Sequence, residues 1–312
     1  MKTDAVTPAD LAASVIAVPP LARVRNGAPA IAENRRLLEW LDSGGVSTFM
    51  YGGNANFYNV GLIEYPLLLE LLNDIAPKRS WVIPSIGADF GKALDQVAIL
   101  RSFDFPTAIA LPMASATRPA GVATGLRKLA DAYRRPVIAY VRAENYFAPR
   151  DMAALVADGA VCAVKYAVER KDPAEDRYLA SLIEATGSER IVSGIGERPA
   201  IVHLTKFRLQ GFTSGSVCIA PHLSCAILAA LKAGNVGAAE ALRSKFLAFE
   251  DQRDARSPIV VLHDGVRLAG ITDTGPLQPY LANLDADAIA AVAPAAKALY
   301  DENARFAERR AA

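Results

Sequence analysis

One pattern recurs along the chain and limits what it can become. A short apolar or β-branched run is followed by polar, Gly or Pro residues and then by a stretch with helical periodicity. The runs lie at 14–20, 46–52, 80–87, 107–113, 136–142, 160–167, 190–196 and 211–218. Their apolarity is continuous rather than alternating. Strands buried on both faces, as in a parallel sheet, read this way. The segments 30–44, 61–77, 91–103, 121–135, 149–159, 174–188 and 197–211 read as the intervening helices. In 30–44 the Gly44-Gly45 pair supplies a stop. In 61–77, Pro66 is acceptable if it falls in the first turn.

Eight β/α units of this length fit a (β/α)8 TIM barrel in the α/β class. An open doubly wound sheet is the competitor, but it often carries a Gly-rich phosphate loop. No GxGxxG follows a run here, and no GxxxxGK[ST] occurs. After about residue 222 the strand signals stop. The remainder reads as a C-terminal helical extension, with 257–271 ambiguous but closer to helix. The expected organisation is a barrel over 1–222 and a helical region over 223–312.

Composition narrows the function classes. The chain has 312 residues, 52% of them hydrophobic, and a formal net charge of +1. That balance gives no reason to expect nucleic acid or an acidic membrane as partner. Three cysteines, Cys162, Cys218 and Cys225, form no CxxC pair. A reduced, cytoplasmic protein is expected. The first twenty residues are too short and too proline-broken for a membrane span or a good signal peptide. His203, His222 and His263 show no HxH or HExxH spacing, so no metal and no cofactor is expected. No Ser sits in a GxSxG elbow.

The run VCAVKYA places Lys165 in an otherwise apolar segment, with no acidic residue within three positions on either side. An unpaired buried charge is costly, so such a group shifts its pKa or finds a partner. Barrel enzymes place their active sites at the C-terminal strand ends. Those ends nominate Asn54, Asn56, Ser115, Tyr140, Arg142, Lys165, Ser193, Glu197 and Ser216. A lysine inside the ring, held neutral, can attack a carbonyl and form a Schiff base. Tyr140, on the neighbouring run, is placed to relay protons. The bland alternatives are a lysine reaching solvent at a strand end and a packed tyrosine with a bonded tip.

At this point the chain resembles the dihydrodipicolinate synthase / N-acetylneuraminate lyase family of class I aldolases. VIAYVRAEN resembles that family's strand-5 Tyr motif, and AVCAVKYA its strand-6 Gly-x-Lys-[Glu/Asp] motif with the Schiff-base lysine. YGGNANFYNV resembles the Gly-[Ser/Thr]-Thr-Gly-Glu-Phe-Tyr-x-Leu motif after strand 2. VSGIGE and LQGFTSGSVCIAP resemble the strand-7 and strand-8 segments. The order and spacing run across nearly the whole chain.

The resemblance implies Lys165 as imine former and Tyr140 as acid/base relay. It also implies a substrate-binding set of Gly53, Asn54, Asn56, Arg142, Gly194 and Ser216, and a homo-oligomer, usually a tetramer. Several positions depart from the pattern. Gly53 and Asn54 stand where the family has paired hydroxyls, and Asn56 stands for the motif's Glu. LPMASATRP lacks the synthase's second Tyr, and Asn145 falls near its strand-5 Arg. The expected activity is therefore a Schiff-base lyase, aldolase or dehydratase acting on a 2-keto acid, rather than the strict synthase. For the carboxylate, backbone amides of the Gly53–Asn54 turn and the Asn54 amide are the expected donors. The competing expectations are a catalytically silent keto-acid or sugar-acid binding protein and, less favoured, a metal-dependent lyase.

Overall fold

The structure is a computed structural model and describes residues 1–311. Nine short strands, all parallel to their neighbours, form the centre. They are β1 (Ile16–Ala17), β2 (Thr48–Met50), β3 (Trp81–Ile83), β4 (Ser85–Ile86), β5 (Ile109–Ala110), β6 (Val137–Val141), β7 (Val161–Tyr166), β8 (Ile191–Ser193) and β9 (Thr213–Ser214). One sheet runs β3-β2-β1-β9 and the other β4-β5-β6-β7-β8. Pro84 alone separates β3 from β4. Proline has no N–H to give to the ladder, so one stave of the ring is read as two pieces. On the other side the Ser193–Phe212 bridge joins β8 to the entry of β9. The two sheets therefore close into an eight-staved (β/α)8 barrel, as the sequence pattern predicts.

Continuous apolarity along each run has a direct structural meaning. Ile16, Val18, Met50, Trp81, Ile83, Ile109, Ile138, Ala163 and Val192 fill the ring interior as one buried cluster. Their strand neighbours, among them Ala17, Phe49, Val82, Ala139, Val164 and Ile191, belong to the larger cluster between barrel and helices. Side chains alternate along a strand, so both faces must be apolar when both are covered.

Most helices begin and end close to the expected places, but the one expected over 197–211 already ends at Thr205. Helix Tyr65–Ile75 does carry Pro66 in its first turn. The ambiguous stretch is the helix Pro258–Leu268. Helix Pro221–Lys232 follows β9 after the 3-10 turn Ser216–Cys218 and packs on the helix before it. The 222/223 boundary falls inside its first turn.

Two further features decide where a site can be. The short helix Pro8–Ala13 buries Leu11 in the interior cluster, and Gly211 lies against the Leu11 carbonyl. That closes the N-terminal end of the barrel. At the other end, residues 272–285 return from the C-terminal helices and strap the β1 and β2 loops. Arg23 N–H donates to Thr274 O at 3.0 Å. Gln278 Nε2 donates to Glu64, which also pairs with Arg23. Asn34 pins the same corner from helix Ile31–Ser43. Its amide bonds Ala22 O and Ala30 O, both at 2.8 Å, and accepts from Ala22 N–H at 2.9 Å. Replacing Asn34 by Ala leaves buried backbone groups unpaired. The expected cost is about 3 kcal/mol, read as a lowered chemical-denaturation midpoint with an unchanged slope.

Candidate active site

Lys165 lies on β7 with Tyr140 of β6 and Val192 of β8 as its direct register neighbours. Ala163, two residues earlier, is in the interior cluster, so alternation sends the Lys165 side chain into the ring. Only 5% of the residue is exposed. Its Nζ sits 4.6 Å from the centroid of the Tyr140 ring. Among the described residues no carboxylate pairs with it.

Burial is the main reason its pKa falls from 10.5 to about 7, and the Arg142 and Arg253 guanidiniums push in the same direction. A group with that pKa is neutral in a large fraction of molecules at neutral pH, which is what a nucleophilic amine needs. The ring face of Tyr140 offers the ammonium form some compensation. Burial raises the Tyr140 phenol well above 10.0, against the pull of Arg142. The phenol stays protonated across the physiological range and can act as a donor.

Arg142 is two residues past Tyr140, just beyond the last residue of β6, where it is exposed at the strand end. Tyr140, Tyr58 and Glu169 each hold its charge in place. Tyr58 belongs to the 3-10 turn Phe57–Asn59, directly after the turn Gly53–Ala55. Both turns project from the C-terminal end of β2 over the ring. In a turn of this kind the leading N–H groups have no partner within it, and the backbone N–H groups of Gly53 and Asn54 donate to no other group among the described residues. The Asn54 side chain donates to Val18 O at 2.8 Å, fixing the turn to the end of β1.

Three nominated positions have other duties. Asn56 is buried in a left-handed conformation, donates to Gln278 O at 3.1 Å and accepts from Asn59 at 2.7 Å. Its amide nitrogen is committed to the strap and its amide oxygen to the neighbouring 3-10 turn, so the structure gives Asn56 the bonds of a loop anchor. Gly194 gives its N–H to Tyr166 O at 2.6 Å. A Cβ there would sit 2.7 Å from that same oxygen and 2.8 Å from Ala167 Cβ. Its role is the close approach of the chain after β8 to the end of β7, with no donor left for a ligand. Ser216 is fully buried and its hydroxyl accepts from Arg253 at 3.3 Å, so it reaches the site only through that arginine. Ser193 alternates outward and bonds His203 at 2.8 Å, and Ser115 lies exposed in the loop after β5.

Arg253 is the residue that sequence reading missed. It comes from helix Leu247–Ala255 and reaches back over the end of β9. A Cβ at Gly215 would meet Arg253 Nη2 and Asn54 Nδ2, each at 2.8 Å. The two side chains therefore converge on one point of the rim. Among the described residues Arg253 makes no ion pair. Its sequence context, EDQRDARSP, is an ordinary charged helix surface, and only the tertiary fold brings it to the mouth. Behind it lies a buried acid pair. Glu197 accepts from Ser214 at 2.8 Å and Ser224 at 2.5 Å. Burial, then the nearby Glu197 charge, pushes Glu250 up to about 8, opposed by Arg253 and Arg198.

Among the described residues no group of three or more His, Cys, Asp or Glu is placed to hold a metal ion, and no helix is long and apolar enough to cross a membrane.

Comparison with known proteins agrees on architecture. No family model matches the chain, and no curated protein does. Solved structures match over most of its length. Dihydrodipicolinate synthase from Oceanobacillus iheyensis has a TM-score of 0.81 at 18% identity, covering 92% of this chain and 96% of that one. YagE, a prophage protein of the dihydrodipicolinic acid synthase family from E. coli K12 in complex with pyruvate, has a TM-score of 0.76 at 18% identity, covering 91% and 98%. A catalytic lysine mutant of Ruminococcus gnavus sialic acid aldolase has a TM-score of 0.81 at 13% identity, covering 96% and 100%. The chain has the fold these proteins share.

The buried amine has a stability signature. Between about pH 7 and 10.5 the unfolded chain holds a proton that folded Lys165 has released. Stability therefore rises with pH across that window, and below it the full burial cost is present. Lys165→Met is expected to be more stable than the parent at pH 7, by up to about 4 kcal/mol. The gap should close towards pH 10.5. Denaturant titrations of both proteins at several pH values measure it, and a gap that does not depend on pH contradicts the assignment.

Proposed function

We propose that the chain is a lysine-imine lyase or aldolase acting on a 2-keto acid. One observation carries this reading: Lys165 is enclosed in the ring, without a carboxylate partner, against the Tyr140 ring. The neutral amine adds to the keto carbon. Two proton transfers then release the carbonyl oxygen as water and leave an imine. The protonated imine withdraws electrons from the bond β to its nitrogen. A carbon–carbon bond there can break, with its electron pair held as an enamine, and a proton returned to carbon completes the step. Water loss from a β-hydroxyl group follows the same logic.

Tyr140 is the residue best placed to carry these protons. The substrate carboxylate is taken by the free amides of the Gly53–Asn54 turn, with Arg253 and Arg142 supplying charge from either side of Lys165. A guanidinium without a protein carboxylate is a natural seat for one from a ligand. The complex of YagE with pyruvate and the lysine named in the sialic acid aldolase support the substrate class and the nucleophile by analogy of fold. The strict synthase activity is not proposed, because the rim turn has Gly53 and Asn54 where hydroxyls would stand. The same substitution favours a second reading, a barrel that binds a keto acid without turning it over.

Borohydride added with pyruvate should fix one adduct on the peptide containing Lys165, and Lys165→Ala should abolish it. Tyr140→Phe should keep the adduct but lower turnover by about 100-fold or more. Arg253→Gln should raise the half-saturating keto-acid concentration about tenfold. Trapping should follow the neutral amine, increasing as pH passes through about 7. An adduct with no turnover of any keto acid would select the silent binder. An adduct on another lysine would overturn Lys165.

A further inference from the structure

Tyr140 has two neighbourhoods. On one side its ring meets Lys165 Nζ. On the other it forms part of the wall of a cavity of about 590 Å³. The cavity opens at the C-terminal ends of β4, β5 and β6 and runs outward between helices Phe90–Leu100 and Pro119–Tyr133. Its body is apolar, built from Ile86, Leu111, Met113, Leu126, Leu129 and Phe147. None of these residues has a role in the imine chemistry. A volume of this order, next to the reacting amine, is in the range of a ligand pocket of roughly 300–1,000 Å³ rather than a packing defect.

We propose that this cavity receives the distal part of the substrate, and that this part is an apolar aryl group. The proposal rests on the imine reading of Lys165 and specifies what the keto acid carries at its far end. Three features favour a ring over a sugar chain. Apart from the two tyrosines, the polar side chains of the lining, Thr117, Arg118, Thr124 and Lys128, are exposed, so the buried wall offers few fixed donors and acceptors, and a polyol would leave hydroxyls unpaired on entry. Tyr146 and Phe147 stand edge to face, with centroids 4.9 Å apart at 83°, and present ring surface to the space. Tyr146 spends its hydroxyl on Met113 N–H at 3.2 Å, which holds the ring in place. Opposite, Phe90 packs against Gly125, where a Cβ would lie 3.6 Å from the ring. The absence of a side chain at Gly125 and Gly121 leaves that side of the cavity open. A flat group entering there lies against aromatic faces, while its keto carbon stays on the Lys165 side of Tyr140.

The test has two arms. The first measures borohydride trapping against concentration for pyruvate, 2-oxoglutarate and benzylidenepyruvate. The aryl keto acid should reach half-saturation at a concentration about tenfold lower, or less, than the other two, as burial of a ring predicts. The second arm uses trans-cinnamate, which has no keto group, with propanoate as control, read by thermal shift. Cinnamate should stabilise the protein and propanoate should not. Gly121→Trp and, independently, Ala120→Trp put a large ring at the cavity entrance. Each should bring the ratio of half-saturation values towards one and remove the cinnamate shift.

Equal half-saturation for all three keto acids, together with no cinnamate shift, overturns the proposal. So does a cavity closed by a second copy of the chain, seen as a dimer that excludes cinnamate and falls apart in the Trp variants. Cinnamate binding with no trapped keto acid leaves the cavity assignment standing and sinks the imine reading instead.

Discussion

The removal of water from one amine is the constraint around which this molecule is arranged. A lysine on a surface strand is an ammonium with a pKa near 10.5. The same lysine at position 165 has a ring of strands around it, helices outside the ring and no acid to neutralise it. Desolvation contributes most to its displacement, and two guanidiniums add repulsion. Both influences act in one direction, so no fine balance of opposing effects is required. The cost is borne by the apolar layers on each side of the strands, which stabilise the barrel whether or not the amine is charged. A small domain with a single thin core has little margin for such a group. A closed ring with two separate apolar layers has more.

How much of this was legible beforehand follows from the physics of each signal. The barrel was legible because double burial leaves a mark on every strand, and eight marks in sequence admit few topologies. Lys165 was legible for the complementary reason. A single charge in a run such as VCAVKYA breaks the rule that made the run a strand. The position of Tyr140 beside Lys165 followed from strand order, since the register that pairs them is that of neighbouring parallel strands, whereas Arg142 lies one residue beyond the strand and outside its alternation. Strand ends were less legible. The run at 211–218 contributes only Thr213–Ser214 before turning into a 3-10 helix, because short apolar residues with glycine suit either conformation.

The rim was the least legible part, and Asn56, Gly194 and Arg253 show why. Asn56 looked like a ligand because a polar side chain beside glycines in a loop is chemically available. Its partner, Gln278, lies more than two hundred residues away, and no local pattern announces that bond. Gly194 looked like a donor because glycines often expose amides. Its N–H is taken, and the residue is glycine because the end of β7 is too near for a Cβ. Arg253 carried no signal at all. Its contribution depends on the helical tail folding across β9, which is a property of packing between distant segments.

The tail therefore has a role beyond covering the barrel. It brings a positive charge to the rim at the place where the β2 turn lacks hydroxyls, and it ties that turn down through Gln278. Behind Arg253, the Glu197 and Glu250 carboxyls are buried together, and each raises the cost of ionising the other. While that pair holds a proton, its pull on Arg253 is reduced, which is the state the proposed carboxylate seat requires. A rim turn without hydroxyl donors would bind an anion poorly through backbone amides alone. A cation delivered from a separate segment would compensate by charge instead of by geometry, since it needs only to be near the anion. The arrangement sets a cation beside a rim turn without hydroxyls, at the mouth of a ring that holds an amine whose pKa burial lowers to about 7.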